Sequence, residues 1–385
     1  MEAAAATCGL SDFGPDDFAT PLQALTDSAR EQGHLTAEGL EGLRTDILRQ
    51  LVNRLRYQDD LARHPEIADE KVDDPVVVIG MPRTGTTKVQ RSLAADPGLQ
   101  SLQLYRAVSP APLPGDEGDA QRIAMAAGFI EVLKQTSPEF LAAHPMDPME
   151  AEEEMWIQLG AYDGPASWGM FYRAPSYVQW LQGRSKANSY HYLRSQLQYL
   201  QWQDGGRRNR PWVLKTPLHL GSLDALCEAF PSAVAVHCHR DIAIAMASTC
   251  RLIETARAVR GAAAIDRVEL GAYLSEFWSQ EWRRNLAQRA TLPAGVTVLD
   301  VDYADIIADT DSVLQSIYDA RGLALTDTAR QRVAAWAKTS DPNRFGRHIY
   351  RLDDYGLSVS DVLAAFDFYV ARFPTTAPAQ QRSHS

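Results

Sequence analysis

The stretch Pro75-Val-Val-Val-Ile-Gly-Met-Pro-Arg-Thr-Gly-Thr-Thr-Lys88 constrains the fold of this chain more than any other. Val76 to Ile79 read as a strand buried on both faces, the pattern of a parallel sheet. The strand stops at Gly80 and turns through Pro82 and Gly85, and Thr84, Thr86 and Thr87 stand where a helix would begin. A strand that breaks at glycine and re-emerges as a helix leaves backbone N–H groups unpaired and pointing outward. The positive end of the helix dipole adds to them, so the stretch predicts an anion seat.

Gly80-x-x-x-x-Gly85 has the spacing of a nucleotide phosphate loop, but Thr86 stands where the loop's lysine belongs. Without that lysine nothing obvious reaches the outer phosphates of ATP or GTP. The loop suits one 5′-phosphate better than a triphosphate. A glycine turn with no ligand is the plainer reading, yet glycines, hydroxyls and an arginine together exceed what a turn requires.

A chain of 385 residues can hold one large α/β domain or two smaller ones with a substantial core. Its net charge of −11 argues against broad binding to nucleic acid or anionic membranes. An anionic ligand must therefore be drawn in by a local positive cluster. Cys8, Cys227, Cys238 and Cys250 show neither metal spacing nor a disulfide framework, which fits a reducing compartment. The start, MEAAAATCGL, has no secretory pattern. No run reaches the roughly 18 apolar residues of a membrane span, so a cytoplasmic location is expected.

Residues 15–70 read as helical, with Leu40, Leu43, Ile47, Leu48, Leu51 and Leu55 forming one apolar stripe. Arg44, Arg49, Arg54 and Arg56 read as its solvated face. This gives a helical N-terminal extension over 1–70, packed on an α/β domain over 71–375. That domain carries a helical insertion at about 119–205, and a disordered tail follows at 376–385. A helix over about 84–95 stops at Asp96-Pro97-Gly98, and Pro- and Gly-rich 107–118 connect to helical 119–135. His144 then precedes Asp147, Glu150, Glu152, Glu153 and Glu154. These acids suit a helix N-terminus, or else an active-site wall holding a general base. Aromatic residues crowd 156–203, most as core and several as candidates for lining a pocket for an apolar acceptor.

Strand and helix then alternate. Strands are expected at 212–215, 233–238 and 296–301, with helices over 219–229 and from Asp241 to about 258. The implied fold class is α/β, a central parallel sheet with helices on both faces. Ligands in such sheets sit at the carboxyl ends of strands, where Gly80, Lys215 and Arg240 all fall. Asp241 is a natural N-cap, and Ser248 lies roughly 10–12 Å along the next helix, within reach of a phosphate shared with Arg240.

Together these features resemble the sulfotransferases that use 3′-phosphoadenosine 5′-phosphosulfate (PAPS). The family's donor loop appears as Pro82-Arg83-Thr84-Gly85-Thr86-Thr87, and its 3′-phosphate pair as Arg240 and Ser248. Val301-Asp302-Tyr303-Ala304-Asp305 is similar to the family's later strand-and-helix segment, and Arg344-Phe345-Gly346-Arg347-His348 to its donor-closing loop. The resemblance covers about 70–372 and lies nearer the bacterial and tyrosylprotein-type branch. It implies a P-loop-like fold, PAPS as co-substrate, adenosine 3′,5′-bisphosphate as product, no metal, and a small hydroxyl acceptor. Cofactor-binding roles fall to Arg83, Thr84, Gly85, Thr86, Thr87, Arg240, Ser248 and Arg347. Arg83 would stabilise charge at the sulfuryl group and Lys215 would add a second positive charge.

The base does not transfer with the donor site. Pro217 occupies the place where cytosolic members keep a catalytic histidine, with His219 two residues on. The base candidates are His144, supported by Glu153 or Glu152, and His219. A P-loop kinase or NTPase, and a nucleotide-binding protein without catalysis, are the competing readings. Oligomeric state and acceptor identity are not encoded in any of these motifs.

Overall fold

The sheet that Val76–Ile79 begins has five strands, all parallel. A computed structural model of the chain describes residues 1–165, 167–206, 210–340 and 351–374. Its strands are β1 (Val76–Ile79), β2 (Gln100–Ser101), β3 (Trp212–Lys215), β4 (Val234–His239) and β5 (Thr297–Asp302). They lie in the order β2-β3-β1-β4-β5. β1, β3 and β4 are the mostly apolar, buried runs expected of a parallel sheet, and β5 is the more exposed edge. The two-residue edge β2 was not foreseen, because Gln-Ser presents no apolar run to read. Arg347 and the tail 376–385 lie outside the described residues.

The chain falls into two units. One comprises Met1–Val72, Leu102–Asn209 and Thr255–Ile265; the other comprises Asp73–Ser101, Arg210–Glu254 and Asp266–Ser385 and holds the whole sheet. In the sheet unit, Val76, Val78, Val234, Val236 and Cys238 pack with the helices Thr86–Ala94 and Thr310–Arg321 through Val89, Leu93, Val313, Leu314 and Ile317. The opposite face carries His237 and His239, whose rings stack on Trp282 of the helix Arg267–Arg289. Helices thus cover both faces of the sheet.

The helical unit is built on Ala37–Arg63, 27 residues capped by Thr36, whose side chain accepts the Gly39 N–H. The helices expected over 15–70 are present, broken at Gly33–Thr36, and a further short helix, Glu2–Cys8, precedes them. Leu43, Leu51 and Leu55 are buried as the stripe predicts, but Leu40 is exposed. The solvated-face reading of the arginines fails at Arg54, which is buried. Its Nε donates to the Phe13 carbonyl at 2.7 Å and its Nη2 to Asp17 at 2.7 Å. Arg49 is half-buried and donates to the Val108 carbonyl at 2.9 Å. Asp46, Gln50 and Asn53 are also buried, bonded to Tyr172, the Trp156 carbonyl and the Val108 carbonyl. From Asp46 to Leu61 no residue of this helix is exposed, so the polar stripe there meets protein groups in place of water. Periodicity alone cannot tell those two environments apart.

Among the described residues no helix is long and apolar enough to cross a membrane. Most aromatic side chains of 156–203 are core: Trp156, Trp168, Phe171, Tyr172, Tyr190 and Tyr199 are buried.

Polar satisfaction in this unit is incomplete at several buried side-chain atoms, among them atoms of Gln158, Gln196 and Asp163. One carboxylate oxygen of Asp163 accepts from Asn188 Nδ2 at 3.1 Å, and the other is buried with no hydrogen-bond partner. Burial pushes its carboxyl up to about 6, against the pull of Asn188 and Lys186. A folded value above the unfolded one means that the folded state binds the extra proton. Stability is then greatest at low pH and falls as pH rises from about 4 to about 6. Asp163→Asn is expected to match the parent protein in urea unfolding near pH 4 and to exceed it by about 2 kcal/mol near pH 7.5. Equal differences at both pH values would show that Asp163 is ionised throughout.

Candidate active site

Sheet order brings the carboxyl ends of β3, β1 and β4 side by side, with Val78 level with Lys215 and Ile79 with His237. After β1 the chain moves to β2 and β3 on one side and to β4 and β5 on the other. The end of β1 is therefore a topological switch point, where open parallel sheets leave a crevice. Gly80, Lys215 and Arg240 each follow or end one of these strands, as their positions in the sequence imply.

The loop from Gly80 to Gly85 is fixed by backbone geometry. Gly80 has φ +146°, and a Cβ there would lie 2.6 Å from the Cys238 carbonyl oxygen and 2.8 Å from Thr84 Oγ1. Gly85, with φ +95°, would bring a Cβ to 3.1 Å from both Tyr303 and Ile306. Arg83 itself adopts φ +70°, a left-handed conformation that an arginine holds only when its surroundings impose it. The Thr84 hydroxyl donates to the Met81 carbonyl at 2.8 Å, closing the loop on itself. The helix Thr86–Ala94 then starts with no side-chain cap on its first N–H groups. Thr84 accordingly precedes the helix, and Thr86 and Thr87 form its first turn.

Arg83, Ser248 and Arg240 meet. Arg83 Nε donates to Ser248 Oγ at 3.2 Å, and Arg240 Nη1 donates to the Arg83 carbonyl at 2.7 Å. The Arg240 guanidinium also lies 4.0 Å over the Tyr303 ring, a cation–π contact that sequence reading did not anticipate. Asp241 caps the helix carrying Ser248, its Oδ1 accepting the Ile244 N–H at 3.1 Å. Two guanidinium groups, one in this loop and one at the end of β4, thus lie beside a helix N-terminus that has no side-chain cap. Lys88, the first lysine after the loop, donates to the Ile306 carbonyl at 2.9 Å, and burial lowers its ammonium.

Lys215 is buried at the end of β3. His219 is wholly buried in the single turn Pro217–His219, and the helix expected from 219 begins only at Leu223. Pro217 and the Thr216 side chain, which accepts the Leu218 N–H, favour that tight turn over a continuous helix.

His144 and Glu153 belong to the helical unit. There the His144 Nε2 pairs with Glu152, 3.0 Å from Oε1, and the Glu153 N–H donates to that same oxygen at 3.0 Å. The partner of the imidazole is Glu152, with Glu153 beside it. Glu152, Glu153 and Glu154 are all buried. They do not sit in a helical first turn. They follow an antiparallel bridge between Gln103 and Ala151 and precede the four-residue helix Met155–Gln158.

Among the described residues two groups of side chains have the residue types of a metal site, His237–His239–Asp300 and His144–Glu152–Glu153, each with its candidate donor atoms within 4.8 Å of one another. In the first, Arg289 is seated on Asp300 through both nitrogens at 2.8 and 2.6 Å, which places a positive charge where a cation would bind.

The sulfotransferase-family profile matches residues 75–327. The crystal structure of the sulfotransferase STF1 from Mycobacterium tuberculosis H37Rv superposes with a TM-score of 0.82. It is 32% identical and covers 95% of this chain and 96% of its own. The sulfotransferase STF9 from Mycobacterium avium superposes at 0.85 with 26% identity, covering 97% and 96%. Among curated proteins, the omega-hydroxy-beta-dihydromenaquinone-9 sulfotransferases of Mycobacterium bovis and Mycobacterium tuberculosis are 23% identical over 263 residues. That alignment covers 65% of this chain and 63% of the relatives, so the match spans less than two thirds of their length.

The loop geometry generates a matched pair of substitutions. Gly80→Ala drives a Cβ into a backbone oxygen at 2.6 Å and is expected to lower stability by more than about 2 kcal/mol. Gly128→Ala, in the helix Ala120–Thr136 with nothing within 4 Å, is expected to raise it by about 0.5–1 kcal/mol. Urea unfolding measures both, and a neutral Gly80→Ala would show that the loop relaxes freely.

Proposed function

The chain belongs to the sulfotransferase family, and we propose on that footing that it moves a sulfuryl group from PAPS to the hydroxyl of a small, partly apolar acceptor. The observation that carries this reading is the meeting of Arg83, Ser248 and Arg240 at the ends of β1 and β4. A donor with phosphates at both the 5′ and 3′ positions matches one seat at the loop and another at the arginine–serine pair. Lys88 is engaged with the Ile306 carbonyl, which leaves the loop without its usual contact to a γ-phosphate.

In this reading the loop N–H groups with Thr86 and Thr87 hold the 5′-phosphate, and Arg240 with Ser248 holds the 3′-phosphate. Transfer forms a bond from the acceptor oxygen to sulfur and breaks the sulfur to phosphate-oxygen bond. The electron pair of the broken bond goes to the 5′-phosphate, so negative charge grows on the leaving oxygen. Arg83 and Lys215 are the cations assigned to that charge, and an arginine does so without giving up a proton. PAPS carries the activated sulfuryl group; the protein supplies position and field. The names of two curated relatives specify a hydroxylated menaquinone, which is in keeping with a hydroxyl acceptor bearing an apolar body.

The two arginines are expected to fail differently. Arg240→Ala should weaken adenosine 3′,5′-bisphosphate by about 1.5–3 kcal/mol and barely alter adenosine 5′-phosphate, as measured by calorimetry. Arg83→Ala should depress single-turnover rate far more than nucleotide affinity, because its contact strengthens as the sulfuryl group departs. Equal losses for both nucleotides, or parallel losses of rate and affinity, would remove these roles.

The acceptor proton is assigned to His144, oriented by Glu152 and Glu153. Imidazole suits proton abstraction near neutrality. His144→Ala is expected to lose about 100-fold or more in turnover with donor binding intact. Glu152→Gln should lose less and shift the pH–rate profile. If His219→Ala alone produces the large loss, the base is His219.

A further inference from the structure

On the sheet face opposite the valine core, three side chains come together. His237 pairs with Asp300 in the β4–β5 register, and His239 lies two residues further along the same face. His239 Nε2 donates to Asp300 Oδ1 at 2.8 Å, and Arg289 donates to both Asp300 oxygens. His237 Nδ1 accepts from the same Arg289 at 3.2 Å. The His239 ring stacks on Phe373 at 4.0 Å and on Trp282 at 5.7 Å, so its plane is held. Its other nitrogen, Nδ1, lies 3.3 Å from the Tyr369 hydroxyl, and that hydroxyl also lies 3.3 Å from the Arg240 carbonyl.

A tyrosine hydroxyl has one proton to give. With Nε2–H committed to Asp300, a neutral His239 presents a lone pair at Nδ1 and accepts a hydrogen bond from the Tyr369 hydroxyl. An imidazolium instead donates from Nδ1 to the Tyr369 oxygen, and the hydroxyl proton is left for the Arg240 carbonyl. The Arg240 carbonyl belongs to the peptide that joins the arginine to Asp241, the cap of the Ser248 helix. We propose that His239 and Tyr369 are positioning residues for Arg240, the proton on His239 deciding whether the Tyr369 hydroxyl anchors the Arg240–Asp241 peptide. This rests on the reading of Arg240 as the group that takes the donor's 3′-phosphate.

The charged and titratable neighbours of His239 are His237, Arg240 and Asp241 along β4 and its cap, Asp300 and Asp302 on β5, Arg289 on the Arg267–Arg289 helix, and Tyr369 and Arg372 on the last helix. Burial raises the Tyr369 hydroxyl, which therefore keeps its proton. Burial, with His239 and Arg289 beside it, pushes His237 well down and keeps it neutral. Burial opposes ionisation of Asp300, but the hydrogen bonds from His239 and Arg289 outweigh it and hold the carboxyl well below the usual range. Asp302 is engaged with the Ala304 N–H at 2.7 Å. His239 is thus the member whose second ring nitrogen has two available roles.

The test is calorimetric binding of adenosine 3′,5′-bisphosphate and adenosine 5′-phosphate to the parent protein, Tyr369→Phe and His239→Gln, at about pH 6 and about pH 8.5. Comparison with the variants cancels ionisation of the ligand. The parent protein should discriminate for the bisphosphate about fivefold better than Tyr369→Phe near pH 6, the effect of one hydrogen bond. That gap should close near pH 8.5. His239→Gln, uncharged throughout, should show the lower discrimination at both pH values. A gap equal at the two pH values marks Tyr369 as merely structural, and no gap at pH 6 overturns the proposal. Should Tyr369→Phe unfold, as its thermal midpoint would show, His239→Gln alone decides: discrimination equal to the parent's at pH 6 overturns the proposal. A parent protein with no preference for the bisphosphate removes the donor reading itself, a separate outcome visible without any variant.

Discussion

The hydrogen bond from the Arg240 guanidinium to the Arg83 carbonyl joins the loop after β1 to the end of β4, and the site depends on it. Arg83 stands at φ +70°, a conformation that costs an L-residue about 1 kcal/mol or more. In that conformation its carbonyl meets Arg240 while its side chain meets Ser248. Two guanidinium groups, one in the β1 loop and one at the end of β4, are thereby held close together. Tyr303 shields one face of Arg240, and the neighbouring Ile306 carbonyl takes Lys88. The segment after β5 therefore packs against both the β1 loop and the end of β4.

Buried polar groups organise the two units differently. In the sheet unit they form a linked set, Arg289–Asp300–His239–Tyr369, that ends on the Arg240 peptide. In the helical unit a second set gathers on Asp46, which meets Arg49, Tyr172 and Arg260, and His144 meets Glu152 elsewhere in that unit. A linked set passes a change at one proton to the next group. Sensitivity to pH in nucleotide binding and in the proton transfer step is accordingly expected to arise from different residues.

The parallel sheet and the tight glycine loop after β1 were legible because their signals are local. Val76–Ile79 is continuous and apolar, and Gly80 and Gly85 occupy positions where only a residue without Cβ fits. Arg240 and Ser248, expected to meet at a shared phosphate, both contact Arg83, the serine at its Nε and Arg240 at its carbonyl oxygen. What the sequence did not reveal depends on contacts between distant segments. Arg54 reads as a solvent residue until Phe13 and Asp17 come to it across about forty positions. The two-residue β2 has no pattern of its own, and the Tyr303 face beneath Arg240 follows from neither propensity nor periodicity. The partner of His144 was open between two adjacent glutamates, since which of them reaches the ring depends on backbone direction after the Ala151 bridge.

The central claim is that the β1 loop and the end of β4 form a seat for a doubly phosphorylated adenosine donor and not for a nucleoside triphosphate. Parallel calorimetric titrations of the unmodified protein with adenosine 3′,5′-bisphosphate and with ATP–Mg²⁺ test it most directly. Selective, saturable binding of the bisphosphate is the predicted result. Selective binding of ATP–Mg²⁺, with the bisphosphate weak or silent, would contradict the account.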